Sequence, residues 1–261
     1  MKLTHKNYFT PKNKYLSNSK ISQYVRSPER FREMYIDKTR FFQQTPAIKI
    51  GKAVDCYLTE SRIQFYKQYD MIVKKKDNPA KYEVQKMGES DKFLLTPGEW
   101  NKALAMIEAV KVTSAYKEIK KYTKQEILNI QTPIGEHFEG LSGIPDFFNI
   151  DDEGVCTIVD LKTSSVLKPN QWHYHCLDFG YYRQFAMYAY LLELTYPEIK
   201  HFRYKHLVVS SIDPHQVAAF EIDTALVENA ESDLHFLIKK ISKDKKFKNP
   251  DVTWKNAMII N

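Results

Sequence analysis

Over the first third of the chain, apolar residues recur at helical spacing; beyond Gln125 they alternate or run together as strand residues do. Residues 1–16 read as irregular. Ser17-Asn18-Ser19 is a helix N-cap cluster, and Ile21, Tyr24, Val25, Phe31, Met34 and Tyr35 follow it, divided by Pro28 into two short helical pieces. The segment 48–58 is the next periodic run. It holds the small residues Gly51, Ala53 and Val54, and a lone carboxylate, Asp55, among apolar neighbours. Residues 61–95 are charged and mixed. Thr96-Pro97-Gly98-Glu99 then opens an amphipathic helix with Thr96 as cap, Pro97 in the first turn and Glu99 at the third position.

From Gln125 the expected elements are strands over 126–130, 138–150 (broken at Gly143) and 155–161, then a helix over 181–194. Strands over 206–211 and 217–222 and a helix over 224–241 follow. The run 155–161 is apolar almost throughout, which suits a strand buried on both faces. No internal repeat or low-complexity tract is present. The pattern predicts an α/β fold: a central mixed β-sheet flanked by helices, with a helical N-terminal region. We expect one domain over 1–261, with 1–115 mainly helical, the core at 120–225, and a helix with a basic tail at 224–261.

Candidate chemistry concentrates between Gly143 and Tyr188. Asp146 lies between Pro145 and Phe147-Phe148, and Asp160 follows the apolar run that ends at Val159. Side-by-side strands would bring these carboxylates together, where each raises the other's pKa and a divalent cation relieves the repulsion. Hard oxygen ligands favour Mg²⁺ or Mn²⁺ over zinc. On an extended chain Lys162 shares the face of Asp160 and reaches the same phosphate. The backbone carbonyl of Leu161 is a further candidate metal ligand. Gln184 and Tyr188, four apart, share one helix face. Arg183 is a candidate phosphate or partner contact. His173 and His175, which would share a face if that segment were extended, are expected on a surface loop, with Lys168 there facing DNA.

Composition adds direction. The chain has 261 residues, 43% hydrophobic and 13% aromatic, and a formal charge of +7. That balance fits a polyanionic partner, with Lys74-Lys75-Lys76 and the cluster from Lys239 to Lys248 as candidate phosphate contacts. Cys56, Cys156 and Cys176 are odd in number and show no CxxC spacing, which argues against structural zinc, iron–sulfur clusters or a disulfide framework, and points to a reducing cytoplasm. No run approaches the roughly 18 apolar residues of a membrane span, the N-terminus has no signal-peptide core, and no glycine-rich phosphate loop suggests ATP use.

Gly143-Ile144-Pro145-Asp146, Val159-Asp160-Leu161-Lys162-Thr163 and Gln184-x-x-x-Tyr188 together resemble the PD-(D/E)xK nuclease superfamily, and within it the RecB-type branch of phage RecE-like exonucleases. The segments 16–21, 27–31 and 51–58 extend the resemblance upstream. It implies a restriction-endonuclease-like core and a Mg²⁺- or Mn²⁺-dependent DNA exonuclease that digests linear duplex ends 5′ to 3′. It implies a single-strand annealing partner and a ring-shaped homo-oligomer, with no membrane association. Asp146 and Asp160 would hold metal, Lys162 would stabilise charge, and Gln184 and Tyr188 would orient Lys162 or DNA. Asp55 stands where relatives often carry a metal-binding His, so metal preference can differ. Glu126 stands where some relatives carry an acidic residue, with a capping or ion-pair role as the simpler reading. The rival readings are an endonuclease on the same fold, a catalytically inactive DNA- or partner-binding protein, and a nuclease acting on RNA.

Overall fold

A computed structural model describes residues 3–8, 10, 13–88 and 90–249; the tail beyond Asn249 lies outside them. A five-stranded sheet organises the chain, with Val155–Ser164 at its centre. On one side that strand pairs antiparallel with Phe147–Ile150, which in turn pairs with Thr123–Lys124. On the other it pairs parallel with His201–Ser210, which pairs antiparallel with Val217–Ile222. The sheet is mixed and helices cover both faces, as the sequence pattern predicts.

Strand alternation sorts the residues into two cores. Phe148, Ile158, Tyr204 and Val208 face the helices Tyr181–Thr195 and Thr224–Lys243. Phe147, Val159, Leu161, Leu207 and Val209 face the helices Pro46–Asp55 and Pro97–Lys111. Such a strand has no solvated side, which is why it reads as a continuous apolar run. By the same alternation Asp160 and Lys162 share the face of Ile158.

Local signals act as expected at several ends. Pro28 divides Asn18–Arg26 from Pro28–Tyr35, and the Ser27 hydroxyl caps the second helix by accepting from the Arg30 amide. Thr96 and Glu99 form a reciprocal capping box. Ser17 occupies an N-cap position but makes no side-chain capping bond.

The structure also corrects the pattern. Within 1–16 the described residues include a helical turn, His5–Tyr8, and a strand, Tyr15–Leu16, parallel to Gly140–Gly143. Residues 61–95 hold the helices Arg62–Gln68 and Pro79–Lys86 and the strand pair Tyr69–Met71 and Phe93–Leu95. The 138–150 run is two strands in different sheets: Gly140–Gly143 pairs with Leu128–Ile130 in a small sheet, and only Phe147–Ile150 joins the central one. The strand carrying Asp160 continues to Ser164, so Asp160 is interior to it. The expected loop around His173 and His175 is a helix, Pro169–Phe179, opened by Pro169 and closed by Gly180 in the left-handed region (φ 66°). On a helix these two histidines do not share a face.

Arg183 is 8% exposed. Its guanidinium donates to Asn18 Oδ1 (3.1 Å), Ser22 Oγ (2.9 Å) and Asp233 Oδ2 (3.1 Å), tying three helices together. We therefore expect Arg183→Met to lower stability by about 1.5–3 kcal/mol in urea unfolding, the range for lost hydrogen bonds to a charged group. The salt dependence of any DNA binding should be unchanged, whereas a phosphate contact would lower its slope.

Candidate active site

Asp160 sits in the central strand and is 1% exposed. Phe147 pairs with Val159, so Asp146, one residue before Phe147, is carried to the level of Asp160. Both Asp146 oxygens are held. Oδ2 accepts from the Leu161 amide at 2.8 Å, and Oδ1 accepts from Gln125 Nε2 at 3.2 Å. Gln125 adopts a positive φ (51°), uncommon for a residue with a side chain, which turns its amide back onto Asp146.

Asp55 arrives from the opposite face of the sheet. It ends the helix Pro46–Asp55 and is followed by a π-helical turn, Cys56–Glu60. Such turns disrupt regular helix and are frequent at functional sites. Gly51 brings the helix close: a Cβ there would lie 2.9 Å from Thr163 Oγ1, on the strand beside Lys162. Asp55 Oδ1 and both Asp160 oxygens are buried without a hydrogen-bond partner, and Lys162 supplies Asp160 Oδ2 with an ion pair. Orphaned buried carboxylate oxygens are costly and call for a cation.

Lys162 pairs with Asp160 and also donates to Gln184 Oε1 at 3.2 Å. Gln184 Nε2 in turn donates to the Tyr188 hydroxyl at 2.8 Å. The Lys162 ammonium lies 4.6 Å from the centre of the Tyr181 ring. Gly143 leaves room for Tyr188, since a Cβ there would meet its ring at 2.9 Å. The sequence-predicted residues Asp146, Asp160, Lys162, Gln184, Tyr188 and Asp55 thus form one neighbourhood. A cleft of about 240 Å³ opens onto Asp55, Asp146, Gln184 and Tyr188, with Ser17 and Ser19 on its rim.

Electrostatics follow from burial. It pushes Asp55 up to about 7, with Lys162 opposing and Asp160 and Glu60 adding to the rise. Burial and then the charges of Asp55 and Asp160 hold Asp146 well above the usual carboxylate range. Burial raises Asp160 too, against the pull of Lys162. Burial alone would lower Lys162, but Asp160, Tyr181 and Asp146 outweigh it and keep the ammonium charged. Burial, then Asp160 and Asp146, keeps Tyr188 a neutral phenol. With all three carboxylates ionised, three negative charges face one ammonium and leave a deficit of two, the charge of one divalent ion. Among the described residues, no group of three His, Cys, Asp or Glu side chains stands ready to hold a metal as placed. The donors fit a hard divalent cation by type, charge and orphaned oxygens, and Lys162 lies against one of them.

Other candidates lie apart. Glu126 accepts from the Tyr196 hydroxyl at 2.8 Å. His173 is within 2.9 Å of the Tyr182 hydroxyl, and His175 stacks on Trp172. Lys168 is exposed at the N-cap of its helix, and Lys74, Lys75 and Lys76 are exposed, with Lys75 3.5 Å from Glu83. Cys56, Cys156 and Cys176 are buried free thiols. Two residues of the site, Gln125 and His206, carry no signal in the local pattern. His206 pairs in register with Asp160 on the neighbouring strand, and its Nε2 is 3.8 Å from Asp160 Oδ2.

Residues 17–253 match the family described as "PDDEXK-like domain of unknown function (DUF3799)". The chain belongs to that PDDEXK-like family. Its fold is that of the PD-(D/E)xK nuclease superfamily, which the motifs resemble. A crystal structure of a Eubacterium rectale protein named "Putative exonuclease" has the same fold, with a TM-score of 0.65 at 17% identity over 94% of this chain and 89% of that one. A structure of SSO0001 aligns over 72% of this chain and 84% of that one with a TM-score of 0.33 at 14% identity, too low to carry an argument. No curated protein matches the chain. No helix among the described residues of this PDDEXK-like protein is long and apolar enough to cross a membrane.

The raised carboxyls fix a pH dependence. A carboxyl with a higher pKa folded than unfolded holds more protons in the folded state between the two values, so stability falls as pH rises through that window. For Asp55 the window runs from 3.8 to about 7. In urea unfolding with EDTA, the metal-free protein should lose stability across it, and Asp55→Asn should flatten the decline. An unchanged slope in the variant would show that Asp55 ionises normally.

Proposed function

We propose that this chain is a divalent-metal-dependent nuclease that digests linear duplex DNA from its ends. The observation that carries the reading is the cluster of half-buried Asp146, just before its strand, with buried Asp160 and half-buried Lys162 on the adjoining strand, completed by half-buried Asp55 from the other face. Asp55, Asp146 and Asp160 would hold Mg²⁺ or Mn²⁺, and the Leu161 carbonyl is a further proposed ligand. Bound there, the ion supplies Lewis-acid polarisation of the phosphodiester and of the attacking water.

The chain's own residues do the rest. Lys162 presents an ammonium to the phosphate and offsets the negative charge that grows in the transition state. Gln184 aims Lys162 by accepting from its ammonium, and Tyr188 fixes Gln184 in turn. The Gln125 and Leu161 donors keep Asp146 from rotating. Lys74, Lys75, Lys76 and Lys168 are proposed contacts to the duplex backbone, where exposed lysines act through charge.

Action on ends is supported by the name of the Eubacterium rectale protein and by the resemblance to the RecE-like branch. From that resemblance we extend the proposal to 5′-to-3′ polarity, a ring-shaped homo-oligomer, an annealing partner and a role in phage-type recombination in the cytoplasm. Two observations favour a second reading, binding without cleavage: Lys162 is paired to Asp160, and no three-ligand cluster is preformed among the described residues.

End-labelled linear duplex and covalently closed circles, incubated with Mg²⁺, Mn²⁺ or EDTA, separate these readings. Linear DNA should be degraded only with metal, and circles should survive. Asp160→Ala should abolish digestion, and Lys162→Ala should slow it by about 10²–10³, the scale of a lost transition-state donor. Nicked or linearised circles would point to an endonuclease. Binding without cleavage in either metal would leave the second reading, and equal digestion by Asp160→Ala would remove the site.

A further inference from the structure

Behind Asp160, away from the cleft, lies a buried histidine with no role in the mechanism above. His206 is 1% exposed and sits across from Asp160 on the parallel strand. Aromatic rings enclose it: Phe185 at 4.7 Å, Trp172 at 5.4 Å and Tyr181 at 5.7 Å between centroids. We propose that His206 is a positioning residue for Asp160, presenting an Nε2–H to its Oδ2, with Trp172 fixing the tautomer that places the proton there. The inference rests on reading Asp160 as a metal ligand and adds what keeps that ligand in place.

The tautomer follows from donor chemistry. An indole N–H only donates. Trp172 Nε1 donates to His206 Nδ1 at 3.3 Å, so Nδ1 offers its lone pair and the ring proton belongs on Nε2. The Cys176 thiol lies 3.9 Å from the same Nδ1, a second weak donor to it. Nε2 has no hydrogen-bond partner, and the polar atom it faces is Asp160 Oδ2 at 3.8 Å. That is about 0.6 Å beyond the long end of the ordinary N–H···O range, so the two atoms face each other without bonding, and the bond we infer forms when the carboxylate turns towards the ring. Burial, then the Lys162 charge, holds the imidazole well below its usual pKa, so the donor is neutral.

A neutral donor suits this place. Lys162 faces the same Oδ2. When the ammonium turns to a substrate phosphate, Asp160 loses its ion-pair partner while it must keep its orientation. An imidazole N–H behind the carboxylate holds it without adding positive charge that would compete with a metal ion. Groups of this kind commonly tune metal affinity by 10–100-fold.

Two measurements test this without relying on cleavage. The first is ¹⁵N NMR of the wild-type imidazole nitrogens at neutral pH. The Nε2–H tautomer is expected; an Nδ1–H or doubly protonated ring would overturn the proposal, and this readout needs no variant to fold. The second is calorimetric titration with Mn²⁺ of wild type, Asp160→Asn, His206→Phe and His206→Gln. His206→Phe keeps the ring and removes the donor, and should weaken Mn²⁺ binding by about 10–100-fold. His206→Gln, whose amide nitrogen reaches the place of Nε2, should restore most of that loss. Wild-type affinity in His206→Phe with none in Asp160→Asn would sink the positioning role and leave the metal site standing. Wild-type affinity in Asp160→Asn would instead remove the metal reading of Asp160, and the proposal with it.

Discussion

Three carboxylates gathered around one ammonium, Asp160 buried and Asp55 and Asp146 half-buried, set the terms for the rest of this structure. Like charges at close range in a poorly polarisable interior repel far more strongly than in water. Burial is the largest cause pushing each of Asp55, Asp146 and Asp160 above its ordinary pKa, and repulsion from neighbouring carboxylates adds to the rise at Asp55 and Asp146. Natural cores tolerate such a cluster when something binds it, and perturbed titratable groups gathered at a cleft mark functional sites on physical grounds. A purely structural role would be better served by apolar residues of the same volume.

The fold brings the charges together by arranging dry surfaces around them. Central-strand alternation sends Ile158 and Val159 into separate cores, and Asp160 follows Ile158 onto the face where the helix of Gln184 lies. The opposite helix delivers Asp55 only because Gly51 lets it approach Thr163, and the π-helical turn begins immediately after Asp55. Close packing on both sides keeps the cleft small and its electrostatics strong. The same packing makes orientation matter most at Asp160, because a buried carboxylate that rotates away from its partner finds little water to replace it. Asp146 has two donors fixing it, Gln125 and the Leu161 amide, whereas Asp160 has Lys162 alone within bonding distance.

Much of this was legible in the sequence because two periodicities carry it. Spacing of two on a strand joins Asp160 to Lys162, and spacing of four on a helix joins Gln184 to Tyr188. The apolar flanks marked the strand as buried on both faces. What the sequence did not reveal depends on register and on turns. Asp160 faces His206 because two parallel strands 46 positions apart align as they do, and no local pattern encodes that alignment. Gln125 reaches Asp146 through a left-handed backbone that glutamine seldom adopts. Arg183 looked like a phosphate contact because its partners, Asn18, Ser22 and Asp233, are far away in sequence. The His173 segment is different: Pro169 and Gly180 are a helix start and stop that the sequence did contain, outweighed by the polar character between them.

The Asp at position 55 then takes on a meaning of its own. RecB-type exonucleases, which the motifs resemble, often carry a histidine there, and a neutral imidazole would ligate metal without adding charge. With a neutral ligand, Asp146 and Asp160 against Lys162 would leave a single negative charge. Asp55 raises the deficit to two, so the ionised cluster is costlier and a divalent ion would offset it more fully. Without a cation, protonation relieves the repulsion, and burial pushes Asp55 up to about 7. A ligand that must lose a proton to bind couples metal affinity to pH, and binding releases that proton. A carboxylate at position 55 is therefore compatible with the metal centre we propose, and filling of that centre would depend on pH around the value of about 7 to which Asp55 is pushed.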